Sequence, residues 1–128
     1  MDRLDDKCIA FEGGSFRENS LGKGLYSVIP PIAMTRVSQR YELGMVKYGK
    51  SDAFKDGMPT SRSFDSAMRH LWGYLAGDNS EDHLAAAVWN MFAIMEMEVN
   101  NPKWQDLPSR KKFRKQCKEY LGYTRGEY

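Results

Sequence analysis

Three polar groups interrupt segments that otherwise read as core-forming helices. They are Glu42, the pair Arg69-His70, and the run Glu81-Asp82-His83, which Asn90 follows two helical turns after His83. Buried without partners, such groups would cost roughly several kcal/mol each, so they must face water or a ligand. Carboxylates gathered on facing helices repel one another unless a divalent cation lies between them. Oxygen donors with few imidazoles suit Mg²⁺ or Mn²⁺, and Mg²⁺ commonly takes one or two carboxylates together with substrate phosphates. Lys23, Lys47, Arg62 and Arg69 would complement the rest of a polyphosphate. The chemistry that this economy favours is cleavage of a nucleotide phosphoanhydride, with metal ions neutralising charge and activating water. Blander readings exist for each residue: Glu42 solvated or paired with Lys47, His70 satisfied by a backbone carbonyl, and Asp65–Arg69 a surface pair.

The rest of the chain must hold these groups in place. At 128 residues it is most simply one domain, with room for a core but not for two. Its apolar and aromatic content is that of an ordinary globular chain, which argues against global disorder. The longest apolar runs fall far short of the roughly 20 residues that a membrane span needs. The charged stretch Met1–Asp6 is followed by no apolar leader region, which reads as a cytoplasmic protein. Cys8 and Cys117 lie far apart without metal-ligand spacing and are expected to be free thiols. The formal net charge of +2 says little, but the basic residues crowd the C-terminal quarter.

Residues 1–27 show turn formers and no sustained period, so the N-terminal segment is expected to be irregular. Gly22-Lys23-Gly24 could bring backbone N–H groups and an ammonium against phosphate oxygens. It lacks P-loop spacing, and a flexible turn is the plainer reading. Pro30-Pro31 opens a helix from Ile32 to about Tyr48, with Val37, Tyr41, Met45 and Tyr48 on one stripe and Gly49 at its end. After a loop over residues 50–60, Ser61 or Ser63 is expected to cap a helix carrying Phe64, Ala67, Met68, Leu71, Tyr74 and Leu75 up to Gly77. The clearest helix spans Asp78–Glu98, with Ser80 as its cap, acidic residues in the first turn, and Leu84, Val88, Met91 and Met95 toward the core. A basic helix over about 109–121 follows, with Phe113, Cys117, Tyr120 and Leu121 as its apolar stripe. No strand pattern of convincing length is present. The class expected is all-α: four to five helices, a core over about 28–98, and an irregular N-terminal segment.

Several ordered motifs carry a resemblance over about residues 13–98. Gly22-Lys23-Gly24, Ile29-Pro30-Pro31, Lys47-Tyr48-Gly49, Arg69-His70-Leu71 and Glu81-Asp82-His83-Leu84-Ala85-Ala86-Ala87 with Trp89-Asn90 look like the phage and bacterial dATP/dGTP diphosphohydrolase family. That family is a branch of the MazG-like all-α nucleoside triphosphate pyrophosphohydrolases. The resemblance implies a helical bundle in a homodimer or homotetramer. It also implies hydrolysis of a purine deoxynucleoside triphosphate to the monophosphate and pyrophosphate with Mg²⁺ or Mn²⁺, remodelling the nucleotide pool during phage infection.

For the site, the resemblance implies catalytic and metal-binding roles for Glu42, Glu81 and Asp82, with Asp78 as a further carboxylate. Contacts to phosphate, sugar or base fall to Lys23, Lys47, Tyr48, Arg69, His70, His83 and Asn90, and Trp72 or Trp89 could stack on a purine. The chain departs from the MazG-like Glu-x-x-Glu pair, offering Gln39-x-x-Glu42, and Leu84 rather than a carboxylate follows Glu81 by three positions. Two other classes compete: a nucleic-acid-binding protein using the basic 109–121 segment, and a domain that binds nucleotide without turnover. A nucleic-acid binder needs no carboxylate cluster, which favours the enzyme.

Overall fold

The computed structural model describes residues 8–49 and 56–110. The basic helix expected over 109–121 lies outside them, apart from Ser109 and Arg110 in a turn. Three long helices dominate: α1 (Pro31–Tyr48), α2 (Thr60–Leu75) and α3 (His83–Asn100). The helical class is as expected, with one correction at the N-terminus. That segment holds an antiparallel hairpin, β1 (Cys8–Ala10) and β2 (Phe16–Glu18), paired with Ile9 opposite Arg17. Gly14, at φ 92°, turns it; strands of three residues are too short to leave an alternating pattern in the sequence.

α1 begins where Pro30-Pro31 placed it and ends at Gly49, whose left-handed backbone (φ 78°) sends its N–H to the Met45 carbonyl. The other two helix starts differ from expectation. No side-chain cap closes α2 from within. Instead Asp106, from far along the chain, accepts the Ser61 N–H at 2.8 Å and the Ser61 hydroxyl at 2.6 Å. A carboxylate so placed does the work of a cap and also complements the helix dipole. At α3 the expected cap Ser80 is engaged elsewhere, because Asp78 accepts both its N–H and its hydroxyl at 3.0 Å. The helix therefore starts later, at His83, and Asp82 is its cap, accepting the Ala85 N–H.

α3 packs mainly against α2, and α1 leans on it as well. Its buried stripe is His83, Ala86, Asn90, Ala93 and Met97, with Ala85 and Ala87 alongside. The larger set expected to face the core is not buried: Leu84 and Val88 are half-buried, and Met91 and Met95 are exposed. Small residues win the inner face because they let backbones approach closely, and α2 answers with Ser63 and Ala67, also buried. The two helices come close at Gly73, where a Cβ would lie 2.9 Å from two atoms of the His83 ring. Across the bundle, Arg36 of α1 donates two hydrogen bonds to Asp82 at 2.7 and 2.8 Å, and Arg40 reaches Glu81 at 3.0 Å. Among the described residues no helix is long and apolar enough to cross a membrane.

Two stability predictions follow from these starts and contacts. Asp82→Ala should cost about 1 kcal/mol from the lost cap, whereas Asp82→Asn, which can still cap, should cost clearly less in urea denaturation. Arg36 holds the Asp82 carboxyl down to about 2, burial opposing and the Ala85 N–H assisting. A carboxyl lowered in the folded state stabilises it above the ordinary value near ~4 and stops doing so as pH falls toward the lowered one. The difference between wild type and Asp82→Asn should therefore shrink between about pH 4 and pH 2. Gly73→Ala should forfeit the gain of about 0.5–1 kcal/mol that alanine usually brings to a helix interior. Overpacking should instead cost roughly 1–3 kcal/mol, and His83→Ala should abolish that penalty in a double-mutant cycle.

Candidate functional site

The faces of α1, α2 and α3 nearest the start of α3 enclose a cleft of about 800 Å³, within the range of small-molecule sites. From α1 come Arg40, Leu43, Gly44, Val46, Lys47 and Tyr48; these recur at helical spacing on one side of the helix. Met58 precedes α2, which contributes Arg62, Ser66, Arg69 and His70 at the same periodicity. Glu81 stands before α3, and Trp89 and Asn90 close the wall from that helix. Gly44 lies beneath Trp89, with its missing Cβ 3.9 Å from the indole nitrogen. The indole also meets the Tyr41 ring at 6.0 Å between centroids.

Electrostatics gives the cleft its character. Among the described residues its lining holds four permanent cations, Arg40, Lys47, Arg62 and Arg69, against the carboxylate of Glu81. Lys47 also sits over the Tyr48 ring at 5.4 Å. Such a surface attracts a polyanion, and its aromatic groups offer faces to a flat ring.

Behind this lining lies a chain of three titratable groups. His83 is buried, with its Nε2 at 2.7 Å from Asp78 Oδ2 and its Nδ1 at 2.9 Å from His70 Nδ1. Bonds from His83 and Ser80 hold the Asp78 carboxyl down to about 2, so it is ionised and only accepts. His83 Nε2 must then carry the proton. His70 Nδ1 also lies 3.8 Å from Glu81 Oε1. Burial holds the His70 imidazole below its ordinary value; Glu81 opposes this, and Arg40, His83 and Arg69 add to it. His70, Glu81 and His83 offer one donor atom each within 4.8 Å of one another and form a group able to hold a metal ion.

The structure brings together eight of the residues singled out from the sequence: Lys47, Tyr48, Arg62, Arg69, His70, Glu81, Trp89 and Asn90 line the cleft. His83 stands behind His70 rather than in the lining. Asn90 is buried and donates to the Ala86 carbonyl at 2.9 Å. Glu42 is exposed on α1 and lines no part of the cleft. Asp82 is taken up by Arg36 and the cap, and Lys23 pairs with Glu18 beside the hairpin at 2.8 Å. Of the two tryptophans, Trp89 lines the cleft, while Trp72 is exposed and does not. Sequence reasoning passed over Arg40. Its signal was the spacing Arg36–Arg40, four apart, which opposes the adjacent acids Glu81 and Asp82.

No curated protein and no solved structure matches the chain. A family does: residues 14–107 match the family described as dATP/dGTP diphosphohydrolase, N-terminal. The cation-lined cleft lies wholly within that span, and the chain belongs to the dATP/dGTP diphosphohydrolase N-terminal family.

Proposed function

We propose that the chain hydrolyses a purine deoxynucleoside triphosphate, dGTP or dATP, to the monophosphate and pyrophosphate. The observation that carries this reading is the convergence of Arg40, Lys47, Arg62 and Arg69 on one cleft that also offers Trp89 and Tyr48. Four cations against one carboxylate leave a net positive lining that suits a triphosphate, and the two aromatic groups suit a purine base. The family's description names the same substrates and a hydrolase activity.

In the reaction, the oxygen of a water forms a bond to the α-phosphorus. The bond from that phosphorus to the bridging oxygen breaks, pyrophosphate leaves with the electron pair, and the proton of the water passes to solvent. Lys47, Arg62 and Arg69 stabilise the charge that grows on the departing pyrophosphate. Trp89 and Tyr48 orient the base, with Asn90 beside them. Mg²⁺ or Mn²⁺ is the cation this reading expects with the triphosphate. Because Asp82 is held by Arg36 and Glu42 stands outside the cleft, the reading gives the carboxylate role to Glu81. Glu81 is itself held by Arg40 at 3.0 Å, which fixes its place at the cleft wall.

The proposal extends to a homo-oligomer. Ile32 on α1 is 78% exposed, and Trp72 and Leu75 on α2 are 61% and 70% exposed. Exposed apolar side chains of this size suit an interface between copies. Light scattering after size exclusion should give a dimer or tetramer mass, and a monomer would remove this part of the reading.

The decisive assay presents the four deoxynucleoside triphosphates and their ribo counterparts with Mg²⁺ or Mn²⁺ and separates the products by chromatography. Expected products are dGMP or dAMP in equal amount with pyrophosphate. Arg69→Ala should lower kcat/KM on the order of 100-fold, and Glu81→Gln should lower kcat at least as far. Absence of pyrophosphate from every nucleotide would refute the activity, and binding without turnover would make the cleft a sensor.

A further inference from the structure

We propose that His70, His83 and Glu81 form a site for one transition-metal ion of the zinc class, set in the inner wall of the cleft. It is distinct from any Mg²⁺ that a triphosphate would carry. The two Nδ1 atoms face each other at 2.9 Å, and Glu81 Oε1 lies 3.8 Å from that of His70. With metal–nitrogen bonds of about 2.0–2.1 Å, two ligand atoms on one ion stand roughly 2.9 Å apart at a right angle and roughly 3.4 Å apart in a tetrahedron. The two imidazole nitrogens are thus already spaced as one edge of a coordination shell, and the carboxylate lies within 4.8 Å of both, a short side-chain movement from completing it.

The surroundings match that role. Asp78 accepts from His83 Nε2 at 2.7 Å, which leaves the lone pair of this ring on Nδ1, on the side of His70. A carboxylate behind a histidine in this manner is the usual support of a metal-bound imidazole: it fixes the tautomer and raises the basicity of the ligand. The ring cannot swing away, since Gly73 is packed against it and its side chain is only 9% exposed. Glu81 and His70 both line the cleft, so a coordination position left open would face the same space as the four cations. Arg40, at 3.0 Å from Glu81 Oε1, shares that carboxylate.

The donor set also chooses the ion. Two imidazole nitrogens and one carboxylate oxygen suit Zn²⁺, Co²⁺, Ni²⁺ or Mn²⁺ and serve Mg²⁺ poorly, because Mg²⁺ demands oxygen ligands. The carboxylate-only set expected from sequence is not assembled in the cleft, where Glu81 stands without Glu42 or Asp82. The competing account of the same contact is a plain hydrogen bond from His70 Nδ1–H to His83 Nδ1, with no ion involved.

The test uses the full chain, stripped with a chelator and titrated with Co²⁺ and Zn²⁺ in the absence of nucleotide. Its outcome is therefore read apart from that of the pyrophosphate assay. Expected are one ion per chain, a visible Co²⁺ absorption that Zn²⁺ abolishes, and no displacement by equal Mg²⁺. His70→Gln and His83→Gln should each weaken binding by at least about 100-fold, and Asp78→Asn, acting through His83, by about 10–100-fold. A Cys8→Ser/Cys117→Ser variant should bind as wild type. His70 is the more exposed of the two rings, so His70→Gln remains informative if His83→Gln fails to fold. Binding that is absent, or unchanged in a folded His70→Gln protein, would overturn the site in favour of the hydrogen-bonded pair.

Discussion

One buried imidazole constrains much of this structure. His83 lies at the first turn of α3, where α2 crosses, and both of its ring nitrogens need partners because an unsatisfied polar group there is costly. Asp78 serves one nitrogen and His70 the other. Serving His83 fixes where the loop before α3 must run, since the Asp78 carboxylate also gathers in Ser80. It fixes the neighbour as well: only a residue without a side chain fits beneath the ring, and Gly73 is there. The same imidazole that closes the core thus positions His70 at the cleft.

The first helix attaches to this arrangement by charge. Arg36 and Arg40, one turn apart, hold Asp82 and Glu81 in succession. Exposed ion pairs contribute little to stability, so their larger effect here is on register. They set which face of α1 looks across at α3, and Lys47 and Tyr48 further along that helix are carried to the cleft in consequence. Asp82 is fully committed to this strut and to the helix cap. Glu81, with its neighbour paired away, is left as the carboxylate of a basic cleft.

Much of this was legible in the residues. The proline pair and Gly49 bracket α1 to within a residue because both act through local backbone geometry. Lys47, Arg69 and Glu81 could be singled out because such groups beside apolar stripes need a reason. What was not legible depended on distant contacts. Asp106 closing the start of α2 is a pairing 45 residues away in sequence, and no local pattern announces it. Ser80 looked like a cap because its type and position were right, but Asp78, two residues earlier, competes for the same hydroxyl. The hairpin strands were too short to show a period.

The misread stripe of α3 explains why polar residues sit in its core. A helix whose inner face carried Leu84, Val88, Met91 and Met95 would stand off from its neighbours by the length of those side chains. The face actually buried carries alanines between His83, Asn90 and Met97. Alanine brings backbones close, and at that distance a short polar side chain finds a partner: His83 meets His70 across the seam, and Asn90 returns its N–H to Ala86. Close packing and polar chemistry are here one choice rather than two. The larger apolar groups are displaced outward, where Met91 and Met95 remain exposed.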